Sequence, residues 1–206
     1  HNLIKEYAIQ HQRIVFNGNG YAAEWEAEAQ RRGLPNLKSM VDAIPALTTE
    51  KAVKLFETFG VFTKAELESR AEIQYDLYAK AINIEARTMI DIATKQIIPA
   101  VIKYTTVLAQ SINTVKAAGV NEVSVQTDLL KKTSKLLKNT NQAMARLAKL
   151  LEKIKELPEG EARARYCRDK IVPAMAALRQ PVDELEMIVD KEMWPMPSYG
   201  DLIFEV

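Results

Sequence analysis

Cysteine, histidine, glycine and long apolar runs are all scarce in this chain, and each scarcity closes off a class of function. Cys167 is the only cysteine, so no intramolecular disulfide can form and nothing calls for an oxidising compartment. The two histidines, His1 and His11, stand ten residues apart with no cysteine or carboxylate beside them at metal-ligand spacing, so no metal site is expected. No apolar run approaches the ~18 residues of a bilayer-spanning helix, and no signal-peptide apolar region opens the chain. Charge of one sign is missing too. With 28 basic and 27 acidic residues the net charge is +1, too small a field to draw in nucleic acid or an anionic membrane. The expectation is a soluble, cytoplasmic protein with neither nucleic-acid nor membrane partners. The chain opens on His1 rather than Met, and from Asn2 it already reads as helix rather than leader, so it is expected to be a piece of a larger protein.

Only 7 Gly and 8 Pro leave little material for loops, while 48% hydrophobic and 27% charged residues are ordinary globular values, so the composition leans towards helix. Residues 3–15 place Leu3, Tyr7, Ala8 and Ile14 at helical spacing and stop at Phe16-Asn17-Gly18-Asn19-Gly20, where Gly and Asn are expected to supply left-handed positions that end a helix. Residues 21–32 read as a second helix, closed by Gly33 and Pro35. Short turns follow: residues 42–47 are broken by Pro45, and residues 49–58 end at Gly60.

Thr63-Lys64-Ala65-Glu66 matches the capping box, in which hydroxyl and carboxylate satisfy each other's backbone donors, so a long helix is expected to start there. Its apolar stripe runs through Leu67, Ala71, Tyr75, Ile82, Ala86, Ala93, Ile97, Val101 and Leu108 to Gly119, with a kink expected at Pro99. A second long helix is expected over residues 123–157, carried by Leu129, Leu136, Met144, Leu147 and Leu151. After Pro158-Glu159-Gly160 a third covers residues 161–193, kinked at Pro173 and Pro181. Short turns between amphipathic helices predict antiparallel packing. The second helix is basic (Lys131, Lys132, Lys135, Lys138, Arg146, Lys149, Lys153, Lys155) and residues 183–192 are acidic, so opposite signs are expected to meet across the bundle.

The fold class is therefore all-α: an antiparallel bundle of three long helices, preceded by short helices and followed by an extended tail. The expected division is 1–35, helical; 36–62, a short-helix connector; 63–193, the bundle; and 194–206, an extended docking tail. Two prolines set the tail's conformation, and its Trp194, Met196, Tyr199, Leu202, Ile203 and Phe204 are expected to dock around Tyr7, Phe16, Tyr21 and Trp25.

No group of residues makes a convincing catalytic, cofactor or metal site. Gly18-Asn19-Gly20 follows a helix rather than a strand and lacks the third Gly and the Lys-Ser/Thr of a phosphate cradle. Cys167 beside Tyr166 reads as a buried thiol without a His partner. Glu66, Glu68, Glu72, Asp183, Glu184 and Glu186 read as solvated helix faces, and Glu85 as a half-buried residue paired with Arg87 or a lysine. The lysines from Lys131 onward lack interleaved aromatics and read as a solvated or salt-bridged face rather than a nucleic-acid track.

Specific words stand out at the loop: Gln10-His11-Gln12-Arg13-Ile14-Val15-Phe16-Asn17-Gly18-Asn19-Gly20-Tyr21, then Glu24-Trp25 and Arg31-Arg32-Gly33-Leu34-Pro35-Asn36-Leu37. Others are Phe62-Thr63-Lys64-Ala65-Glu66-Leu67, Asn83-Ile84-Glu85-Ala86-Arg87-Thr88-Met89, Lys95-Gln96-Ile97-Ile98-Pro99-Ala100 and Trp194-Pro195-Met196-Pro197-Ser198-Tyr199-Gly200-Asp201. In this order they resemble the carboxy-terminal part of type III glutamine synthetase. The resemblance implies a parent that joins glutamate and ammonia with ATP hydrolysis, uses Mg²⁺ or Mn²⁺, and assembles as a double-ring homo-oligomer. It also implies that residues 1–35 end the catalytic region and that the catalytic residues precede His1, so this chain alone is not expected to be active. The rival reading is a stand-alone, non-enzymatic helical interaction module.

Overall fold

The computed structural model describes residues 1–204; Glu205 and Val206, the end of the expected docking tail, lie outside them. Among the described residues there is no strand. The chain is all-α, with long helices of 54, 33 and 26 residues following a run of short ones.

The short helices are α1 (Asn2–Gln10), α2 (Ala23–Arg31), α3 (Met40–Ala43) and α4 (Glu50–Thr58). α1 stops at His11 and is followed by a 3₁₀ turn, Gln12–Ile14, well before the glycine loop. The left-handed stop expected at Gly18 and Gly20 is not there, since neither has a positive φ. Gly18 answers a steric demand instead: a Cβ on it would come 2.6 Å from the Phe16 ring. A left-handed glycine does close α4, where Gly60 (φ 60°) lets the Gly60 and Val61 amides reach back to the carbonyls of Glu57 and Phe56.

The first long helix begins at the capping box. The Glu66 amide donates to Thr63 Oγ1 at 3.3 Å, and the Thr63 amide donates to Glu66 Oε2 at 2.7 Å. It consists of α5 (Lys64–Ile92), a π-helical turn (Ala93–Ile97) and α6 (Ile98–Ala117). The third long helix repeats the device as α8 (Glu161–Tyr166), a π-helical turn (Cys167–Ile171) and α9 (Val172–Glu186). Each π turn ends two residues before a proline, Pro99 or Pro173. Proline lacks an amide and crowds the carbonyl four residues back; a turn widened by one residue moves that carbonyl away and the helix continues. Pro181 lies buried inside α9.

Between them runs α7 (Ser124–Lys153), antiparallel to both neighbours. Its Leu136 packs with Ile97, Val101, Leu185 and Val189, while Leu147 and Leu151 pack with Ala79, Ala86, Cys167 and Ile171. Alanines at 79, 86 and 93 keep the α5 face thin, so the leucines of α7 fill the gap and bury completely or nearly so. Each such leucine contributes about 1.5–3 kcal/mol through burial.

Four further expectations need correction. The third long helix ends at Glu186 rather than near Met193: the Ile188 and Val189 amides both close on the Leu185 carbonyl, and beyond them Asp190 Oδ1 accepts the Glu192 amide at 2.8 Å in a turn. The tail is non-helical only through its prolines: Tyr199–Phe204 form a short helix, α10, which Ser198 and Asp201 cap through reciprocal backbone bonds of 3.3 and 2.6 Å. It also lies elsewhere than expected. Trp194 packs beside Val101 and Leu185, and Met196 and Leu202 line a groove with Ile92 and Val182, whereas Phe16 and Trp25 pair with each other at 4.7 Å. Finally, among the described residues no ion pair joins the lysines of α7 to residues 183–192.

Candidate functional site

The amino-terminal end presents a surface that is firmly built yet uncovered. α1 buries none of its residues; Leu3, Ile4 and Tyr7 are all more than half exposed, as is Ile14 beyond it. With Val15 they line an open apolar hollow of about 480 Å³. An amphipathic helix gains its stability in water mainly by covering such a face, and here the face is left open.

Arg32, just past α2, holds this surface in shape. Its two Nη groups donate to the carbonyls of Arg13 (2.8 Å) and Val15 (3.1 Å), and its Nε donates to Glu28 Oε1 at 2.5 Å. The guanidinium also lies 5.9 Å from the Trp25 ring centre, so one side chain fixes the strand-like exit of α1 against α2. Arg31 and then Arg32 hold the Glu28 carboxyl down at about 2. At the loop's crest the Tyr21 amide donates to Asn19 Oδ1 at 3.0 Å, and the Tyr21 ring stands fully exposed.

The residues singled out for possible chemistry are scattered rather than convergent. His11 is exposed and stacks on Tyr7 with ring centres 5.9 Å apart. Cys167 is fully buried; burial pushes its thiol up to about 11, Arg163 opposes that only weakly, and its Sγ lies 4.0 Å from the Ala79 carbonyl. A thiol so placed stays protonated and is no nucleophile. Glu66 is taken up by the cap, Glu68 pairs with Lys64 at 3.6 Å, and Asp183 pairs with Arg179 at 3.0 Å. Glu186 accepts the Trp194 indole N–H at 3.2 Å, and the Glu72 carboxylate lies against Gly160. Glu85 is exposed rather than half-buried, and Arg87 turns to Asn83 at 3.1 Å, which corrects the expected ion pair.

Two positioning groups escaped the sequence reading. Arg32 carries no pattern that foretells contacts 17 and 19 residues away. Asp42, which pairs with Arg168 and lies 3.9 Å from Arg165, joins the connector to the third long helix, and no spacing rule spans such a separation.

Residues 1–116 match the family model of the glutamine synthetase C-terminal domain. The chain belongs to this family. It is 32% identical over 207 residues to a protein named type-3 glutamine synthetase from Dictyostelium discoideum, covering 98% of this chain and 28% of that protein. It is also 32% identical over 205 residues to a glutamine synthetase of Butyrivibrio fibrisolvens (99% of this chain, 29% of that protein), and 29% identical over 213 residues to one of Bacteroides fragilis strain YCH46 (98% and 28%). The chain thus spans less than a third of the length of these relatives. In this glutamine synthetase C-terminal domain the family match takes in the uncovered surface and the first long helix, from α1 to the end of α6.

Glutamine synthesis needs sites for a nucleotide and a divalent ion. Among the described residues no group of three or more His, Cys, Asp or Glu is arranged to hold a metal, and the Gly18–Gly20 loop carries no cation to meet a phosphate. Neither set of side chains fits a divalent ion or a phosphate chain. No described helix is long and apolar enough to cross a membrane.

Proposed function

We propose that this domain serves a type III glutamine synthetase, an ATP-dependent glutamate-ammonia ligase of nitrogen assimilation, in a structural and assembly role rather than a catalytic one. ATP and Mg²⁺ or Mn²⁺ would be bound by the catalytic region of the same protein. The partners are that catalytic region and further copies in a cytoplasmic homo-oligomer built as a double ring. The observation that carries the reading is the uncovered face of α1, anchored by Arg32: an apolar face rigidly presented beside a fully exposed Tyr21 suits docking on a neighbouring globular region. The long helices then project from that anchor. A stand-alone interaction module would account for the bundle equally well, but not for likeness over nearly the whole chain to proteins named glutamine synthetase.

The test is to assay glutamine formation and assembled mass for a full-length protein carrying this domain, with and without residues 64–193. Loss of assembled mass together with lowered glutamine output is expected, and the 206-residue chain alone should make none. A truncated protein with undiminished mass and activity would leave the bundle no assembly role, and glutamine made by the chain alone would overturn the non-catalytic reading.

A further inference from the structure

The outer face of α7 differs in degree from those of the other long helices. On those helices several exposed charges pair one turn apart, Lys64 with Glu68, Asp76 with Lys80, Asp91 with Lys95, Glu161 with Arg165, and Arg179 with Asp183, although Lys103, Lys116 and Lys170 make no ion pair among the described residues. On α7 seven cations (Lys131, Lys132, Lys135, Lys138, Arg146, Lys149, Lys153) stand with two carboxylates, Asp128 and Glu152, and among the described residues none of the seven makes an ion pair. At 100° per residue, six of them, all but Lys132, fall within about an 80° arc, forming a stripe roughly 33 Å long. Lys131 stacks under Lys135 and Lys149 under Lys153, arrangements that weaken a helix. Six like charges on one face, none of them in an ion pair among the described residues, suit an oppositely charged surface.

The partner's chemistry follows from what flanks the stripe. Ser134, Asn139, Asn141 and Gln142 are polar, and no aromatic ring stands among the cations, so the face has neither base-stacking platforms nor the apolar flank of a membrane-surface helix. An acidic protein surface is what fits. The chain carries one in residues 183–192, where Glu184, Glu186, Asp190 and Glu192 are exposed and have no cation within 4.0 Å. The two surfaces cannot meet within one molecule. Leu136 packs against Leu185 and Val189, so the acidic segment sits by the buried face of α7 and the stripe points away from it.

We propose that the basic stripe of α7 docks on the acidic segment 183–192 of a second copy of this chain. The contact is heterologous, head to tail, and so propagates to a ring or an open array rather than stopping at a symmetric pair. It holds whether or not the domain serves glutamine formation, and its failure would leave that reading untouched.

Sedimentation velocity on the 206-residue chain tests it. Association is expected at about 50 mM salt and dissociation to monomer at about 500 mM, because exposed charges are screened over a few ångströms at high ionic strength. Lys131→Glu with Lys135→Glu and Lys138→Glu should give a monomer at low salt. Glu184→Lys with Glu192→Lys should do the same, and mixing the two reversed variants should restore association through the swapped charges. Circular dichroism confirms that both variants remain helical. A chain that is monomeric at low salt, or whose mass ignores both reversals, overturns the proposal. So does a monomer that instead retains a labelled polynucleotide in a salt-sensitive, stripe-dependent way.

Discussion

Arg168, on the π turn of the third long helix, is paired with Asp42 of α3, 126 residues earlier in the chain. Arg168 is also held by Asp169 at 2.7 Å, and both carboxylates stabilise its charged form. The pair ties the short-helix connector to the bundle beside Val41 and Ile44, which bury against Ala71 and Tyr75.

Replacing either partner should therefore loosen the connector more than the bundle. Asp42→Ala and Arg168→Ala should each lower the melting point only modestly, since the pair is partly exposed and screened by solvent. A double-mutant cycle measures the coupling. If the two costs simply add, the ion pair contributes nothing and the connector is held by Val41 and Ile44 alone.

Cys167 offers a pH test. Its thiol is raised from 9.0 to about 11 in the fold. A raised folded value means the contribution is intact below the unfolded value and is lost as pH rises through the folded one, here between 9 and about 11. Wild type should lose stability across that window faster than Cys167→Ala. Ellman's reagent should also leave the native thiol unlabelled at neutral pH until denaturant opens the bundle, and rapid native labelling would mean the thiol is accessible.

The tail helix should respond in the opposite direction. Asp201 is held below the ordinary carboxyl range first by the Ser198 amide, then by the Ser198 hydroxyl and Lys191. A lowered folded value means the cap is in force above the unfolded value, 3.8, and is lost as pH falls below it. Trp194 emission, read in a Trp25→Phe background, should shift to the red as acid releases α10. Asp201→Asn should already show part of that shift at neutral pH. An emission maximum indifferent to both would mean that Trp194 is held without help from the cap.

Leu147 and Leu202 make a contrasting pair, the first fully buried and the second 66% exposed. Leu147→Ala should cost about 2–5 kcal/mol by leaving a cavity among Ala86, Leu151 and Cys167. Leu202→Ala should stay within about 0.5 kcal/mol. Chemical denaturation of the two variants decides between them. Similar midpoints would mean the tail is packed as tightly as the core.

The long helices were legible because local rules governed them. The Thr63 cap, the apolar stripe from Leu67 to Leu108 and the stop at Gly119 each depend on residues within a turn or two of one another. The tail shows how such signals compete. Pro195 and Pro197 point to an extended tail, but both lie before Ser198, whose cap with Asp201 lets α10 form beyond them. The amino-terminal surface could not be foreseen in detail, because Arg32 reaches backbone carbonyls rather than side chains and so leaves no partner residue to recognise. The charge prediction failed on geometry: composition showed opposite signs, but only the helical phase shows that Lys131 and Glu184 face apart.

The two π turns make the long helices unequal in their tolerance of length change. A one-residue deletion within Ala93–Ile97 would draw the turn back to ordinary α-helix and leave the stripes on either side in register, so Ala86 and Val101 would still face α7. The same deletion one turn earlier or later would rotate everything beyond it by about 100° and swing Val101 into water. Deletion inside the π turn would also remove the slack that seats Pro99, so the seam is kept only where Pro99 is replaced as well. Ala93–Ile97 and Cys167–Ile171 are thus the places where related chains can differ by a single residue while keeping the same buried seam.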